Sequence, residues 1–439
     1  MAHNSRLPVS LLLLSAYFFI AYFVQRTDTA ALLAAVTVVT GLYAFLIRPR
    51  SIPPENFHYF LGLAFALRLV FLFAPTALSD DVYRFIWDGR LMEAGMNPYA
   101  YLPEELMRSR LAGRPTFEEL FPHLNSPGYY SLYPPVLQGL FFLSVKCSFG
   151  MQALAVVNLR LFILAAEFGT FFFLARILKL LHIDRERIFI YAFNPLVIIE
   201  LSGNLHMEAV MIFFLSGALY FLLLRRMSWS AICFALAVST KVIPLILLPL
   251  IVRKTGLRAG TAFSALAAVV CIVLFLPFID PTLLRHLADS FGLYFHQFEF
   301  NASMYYLSKW LECRVTGQEA IRFTGILLPL LSTGLIFWLS FRIKKENSRL
   351  VVFEKALAVF CTYYLFSPVV HPWYLAFPVL MSVFVPFRYA LVWSVLAFLS
   401  YAHYAVFPYR EPVVLLWMEY VVVGTMIFLE YNVSLHEKI

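Results

Sequence analysis

An all-α, polytopic membrane protein is the fold class this sequence predicts, and three observations carry the prediction. Of 439 residues, 61% are hydrophobic and 17% aromatic while 14% are charged, a composition outside that of soluble globular domains. Apolar runs that reach or approach the ~20 residues needed to cross hydrocarbon recur along the whole chain. Lys and Arg collect in short links between those runs, as expected of loops that stay on the cytoplasmic side.

In chain order, the runs place spans at 8–24, 30–47, 57–75, 153–180, 188–202, 205–224, 229–240, 242–252, 259–279, 319–341, 354–368, 371–387, 389–407 and 412–431, giving about 12–14 transmembrane helices in one integral-membrane domain over 1–439. The first, PVSLLLLSAYFFIAYFV, follows Arg6 and lacks a small-residue cleavage site, so it is expected to be retained as a span. The run 135–150, PVLQGLFFLSVKCSFG, is the ambiguous one. If it crossed, the basic segment from Arg176 through Arg187 would fall outside. If it lies along the surface, RPR at 48–50, that segment, Arg225-Arg226, RKTGLR at 253–258 and RIKK at 342–345 all face the cytoplasm, so an interfacial helix is predicted.

That topology sends the polar islands to the opposite side: a first large loop over 76–152, the GNLHME turn at 203–208, the Ser239–Val242 break, a second loop over 280–318 and the turn at 367–374. A pocket at the outer membrane face is the natural consequence. The formal charge of +8 suits anionic lipid rather than nucleic acid. Five cysteines without a CxxC pair read as small core residues. No phosphate-cradling glycine loop and no zinc spacing appears, so ATP-driven chemistry and a cofactor are not expected; His206 and Glu208 leave a weak reading as a metal pair, which is not predicted.

Asp80 and Asp81 stand where the chain leaves the third span. Ser79 suits a helix cap and two acids suit its first turn, but a carboxylate at an apolar boundary also has the tunable pKa of a general base. If 82–94 is helical, Asp81 and Asp88 share a face and Arg84, four residues before Asp88, can hold it. Tyr133-Pro134-Pro135 opens the interfacial helix. His206 and Glu208 begin an outer helix, where Glu208 also complements the dipole. Lys241 interrupts a long apolar run, and an ammonium there costs about 2.5–3.5 kcal/mol at a helix centre unless it reaches the interface or meets an anion. Arg160, inside the 153–180 span, raises the same question. His371, with Tyr374 beside it, starts a span among interfacial aromatics.

SDDVYRFIWDGRLMEAGMNPY, YSLYPP, FNPLVIIELSGNLHMEAVMIFFLSGALYF, STKVIPLILLPLIV and HPWY follow one another in the order seen in polytopic glycosyltransferases of the C-type fold. From about residue 57 to 380 the chain resembles bacterial polyprenyl-phosphate-sugar-dependent mannosyltransferases and, distantly, the GPI first-mannose enzymes. The resemblance implies transfer of a hexose, mannose by analogy, from a polyprenyl-phosphate-sugar donor to a glycan- or lipid-linked acceptor. It places the active site on the outer face of a bacterial cytoplasmic membrane, or in the endoplasmic reticulum membrane of a eukaryote. Its base falls on Asp80 or Asp81, which are adjacent here where relatives often carry a spaced pair. The two spans before residue 57 are additional to the simplest family plan. Donor-phosphate and substrate-binding roles are expected among Lys241, Arg160, Asp88, Arg84, Tyr133, His206, Glu208, His371 and Tyr374. A sugar on a lipid phosphate already has a leaving group, so base, alignment and a cation suffice, and direct displacement inverts the anomeric centre. The competing class is a transporter or lipid flippase, which predicts repeated halves and mid-membrane ionisable groups. Here the polar groups gather on one side.

Overall fold

The computed structural model describes residues 6–317, 323–342 and 348–436, except the side chains of 293–297 and 434–436. The expected basic link at 342–345 is described only at Arg342, and residues 319–322 of the drafted tenth span likewise lie outside the described residues. Among the described residues the elements are helical, and extended pairing is limited to a parallel bridge between Phe300 and Val369. The protein is an all-α, multi-pass membrane protein.

Six helices are each long and apolar enough to cross a membrane: Arg6–Phe23, Thr29–Leu46, Gln152–Leu181, Leu257–Phe278, Thr324–Phe341 and Val413–Val433. A seventh arises if Val197–Gly203 and Glu208–Leu223, which meet at 114°, count as one broken span. The remaining drafted spans are realised as shorter or broken pieces, and polar side chains mark the breaks. The run drafted as 57–75 is helical only over Phe57–Leu69. Its exit carbonyls at Leu72 and Ala74 are taken by the Arg160 guanidinium. The 371–387 run divides into Pro372–Leu375 and Ala376–Ser382, and Arg187 donates to the carbonyls of Ser382, Val383 and Val385 just beyond. Each guanidinium satisfies acceptors that a helix end leaves open.

Two more polar devices hold the bundle. Arg68, fully buried, binds Glu167 at 2.6 Å and the Ala192 carbonyl at 2.8 Å, while Tyr191 donates to the other Glu167 oxygen at 2.5 Å. This joins Phe57–Leu69, Gln152–Leu181 and the Ile188–Ala192 helix inside an apolar surround, where either charge alone would be costly. At the other device, Asn194 Oδ1 accepts from the Leu196 and Val197 amides and starts a π-helix over Val197–Gly203. Such widened turns insert an extra residue and turn side chains out of the usual register.

The 135–150 run forms a helix over Pro135–Lys146. At twelve residues it is about 18 Å long, too short to cross. It lies against Asp81–Glu93 rather than among the spans alone. Gly89 permits that approach, because a Cβ there would fall 2.5 Å from the Phe141 carbonyl oxygen.

Candidate active site

The polar islands do come together at one end of the bundle. Asp81 is the first residue of the Asp81–Glu93 helix, and Asp80 precedes it at the cap. Arg26, in the turn between the first two helices, binds Asp80 at 2.5 Å. Asp81 has a different environment. One oxygen accepts from Asn125 Nδ2 at 2.8 Å, the other stands 4.0 Å from His206 Nδ1, and the side chain is 26% exposed. The adjacent acids are therefore unequal: Asp80 is neutralised by a guanidinium, whereas Asp81 faces an imidazole and an amide.

His206 lies in the break after the π-helix. Its Nε2 is 3.4 Å from Glu200 Oε2 without completing a hydrogen bond. Glu200, fully buried, is held by Tyr401 at 2.8 Å and Asn204 at 3.1 Å. The His206 ring stacks on Trp373 at 3.5 Å, and Trp373 stacks on His371 at 4.3 Å. His371 Nδ1 is buried and completes no hydrogen bond.

Lys241 follows the end of Met227–Val238. Its ammonium forms an ion pair with Glu208, the first residue of Glu208–Leu223, and lies 4.8 Å above the Tyr374 ring. The lysine side chain is 26% exposed and the glutamate 4%. Tyr374 in turn packs edge-on to His371 and Trp373. A cation at the mouth of the site and Asp81 are thus linked through one column of rings.

Other candidate residues serve the scaffold in this structure. Arg84 holds Asp88 at 2.9 Å and also donates to the Ser126 and Tyr129 carbonyls at 3.0 Å. Asp88, fully buried, accepts from Ser131 and from Gln138 at 3.0 Å. Together they staple the Asp81–Glu93 helix to the strand-like approach of Pro135–Lys146. The Tyr133 carbonyl accepts from the Tyr99 hydroxyl at 2.5 Å. Burial, then the nearby Asp81, raises the Tyr133 phenol well above its ordinary value, so it keeps its proton. Arg160, 2% exposed, uses its Nη donors on Leu72, Ala74 and Gly203 carbonyls. Among the described residues no three His, Cys, Asp or Glu side chains are arranged to hold a metal ion.

Four contributors were not singled out in the sequence: Arg26, Asn125, Glu200 and Tyr401. Glu200 carries a readable signal, an acid inside the run LVIIEL, because buried acids in spans need a partner. Asn125 gives none.

An all-helical membrane protein with acids, an ion-paired lysine and stacked rings gathered at one end has the makings of a membrane-embedded transferase. The family model for alpha-(1->6)-mannopyranosyltransferase, N-terminal domain (MptA/B), matches residues 9–255, more than half of the chain, and the protein belongs to that mannosyltransferase family. Comparison with the curated proteins and with solved structures gives no match. Trp373, His371 and Tyr401 lie beyond the matched residues, so the C-terminal part supplies rings to the cluster that the matched part begins.

Proposed function

We propose that this mannosyltransferase takes mannose from a polyprenyl-phosphate donor and passes it to a glycan- or lipid-linked acceptor at the extracytoplasmic face of the membrane. The observation that carries the reading is the inequality of the two acids. Asp81 is reachable and has no cation bound to it, as a general base requires, while Asp80 is occupied by Arg26. The acceptor hydroxyl oxygen attacks C1 of mannose as its proton passes to Asp81. The C1–O bond to phosphate breaks, and the electron pair leaves on the phosphate oxygen.

Lys241 supplies the cation that meets that growing charge, exchanging its contact with Glu208 for the phosphate. His206, fixed by the Trp373 stack, holds Asp81 in place. Membrane lipid surrounds the site and carries both substrates to it, and side chains alone perform the step. Displacement in line inverts C1, so the alpha linkage in the family's description requires a beta-linked phosphate donor. Purified protein offered polyprenyl-phosphate mannose, glucose and galactose in both anomers should release polyprenyl phosphate from the beta-mannose donor. Equal use of the alpha anomer would remove the direct displacement.

A further inference from the structure

The segment that closes the site on its C-terminal side contains an aromatic and carboxylate surface that the step above does not use. Tyr404 and His403 end the Ala397–Ala405 3-10 helix, and Tyr409 and Glu411 follow in the link to Val413–His436. Tyr409 packs on Tyr404 at 5.3 Å and on His403 at 5.6 Å, yet remains 43% exposed. Glu411 is positioned by His403 Nδ1 at 3.4 Å and the Asn301 amide at 3.3 Å. Its Oε2 is buried near the Tyr306 phenol without completing a hydrogen bond, and the carboxylate side chain as a whole is 19% exposed.

This surface abuts the acids. The guanidinium of Arg26, bound to Asp80, lies 5.2 Å above the Tyr404 ring. On the other side, Phe300 touches both His403 at 5.2 Å and His371 at 4.7 Å, and the His371–Trp373–His206 column returns to Asp81. The contacts thus form a closed circuit around the acid pair. Lys241 joins this circuit through Tyr374, and the stretch beside Arg26 holds the exposed Tyr409 ring with a carboxylate next to it.

We propose that His403, Tyr404, Tyr409 and Glu411 form the subsite that seats the acceptor pyranoside; this rests on the transferase reading above. A pyranose presents an apolar C–H face, which an aromatic ring covers at low entropic cost, and hydroxyls, one of which a partly exposed carboxylate can accept. Asp80, through Arg26, fixes this stretch relative to Asp81 and so sets which acceptor hydroxyl reaches the base.

The test is calorimetric binding of octyl alpha-mannopyranoside to the full-length protein in detergent, with octyl glycerol as a control carrying the same tail. Wild type should prefer the mannoside. Tyr409→Ala should weaken its binding about tenfold, as expected for loss of one ring contact. Tyr409→Phe should preserve it, and Glu411→Gln should weaken it without changing octyl glycerol binding. In turnover, the acceptor KM should rise in Tyr409→Ala while the donor KM stays fixed. Equal mannoside binding by wild type and Tyr409→Ala would overturn the subsite and return these rings to interfacial anchoring; so would a wild type that does not distinguish the two octyl compounds. A wild type that binds the mannoside but transfers nothing from lipid-linked mannose would sink the donor reading alone.

Discussion

Asp81→Asn should lower turnover by about 10²–10⁴-fold, the contribution of a positioned general base. The substitution keeps the shape that Asn125 and His206 contact, so the melting temperature should stay close to that of the wild type. Donor KM should change little, because the lost interaction is made in the transition state. Asp80→Asn should have a smaller effect, since it loosens Arg26 from the rim but leaves the base intact. Initial rates at saturating donor and acceptor check both variants. Full activity in Asp81→Asn, or a deeper loss in Asp80→Asn, would reverse the assignment within the pair.

Lys241→Met carries the second large effect, and the structure changes how it must be tested. A lysine that only snorkelled would be replaced without harm. Here removal strands Glu208, whose side chain is 4% exposed, and an unpaired buried acid costs roughly 3–5 kcal/mol. Low activity in Lys241→Met alone could therefore reflect unfolding. The double variant Lys241→Met, Glu208→Gln removes both charges and should recover the melting temperature. It should still show a raised donor KM and a reduced kcat, with the acceptor KM unchanged, because the missing cation served the departing phosphate. Lys241→Arg should restore part of both, with altered geometry. Wild-type donor kinetics in the double variant would make the pair a structural clasp.

Much of the fold was legible because hydrophobic runs and basic links are averaged over many residues. The short Pro135–Lys146 helix and its proline start follow from that pattern. What could not be read is where runs break internally. Arg160 and Arg187 each satisfy carbonyls far away in sequence. Those partners depend on three-dimensional packing that no local spacing encodes.

The candidate site divides in the same way. Asp80, Asp81, His206, Lys241, Glu208 and His371 were visible as polar residues at apolar boundaries. Their relationships were not. The pairing of Lys241 with Glu208 spans 33 residues, and that of Asp80 with Arg26 joins a helix cap to the turn between the first two helices. Tyr401 holds Glu200 across 201 residues, so neither sequence neighbourhood announces the other. A π-helix, which aims Glu200 and Asn204 at the same side, has no pattern of its own in the sequence.

Mannose that arrives on a lipid phosphate and leaves through the Asp81 site can be followed by giving purified protein in liposomes mannose-labelled polyprenyl phosphate or labelled GDP-mannose, with octyl alpha-mannopyranoside as acceptor. Label should pass from the lipid donor to an alpha-linked dimannoside in the wild type, and at a rate lowered by about two to four orders of magnitude in Asp81→Asn. Transfer from GDP-mannose in the absence of any lipid donor, unaffected by Asp81→Asn, would contradict the account.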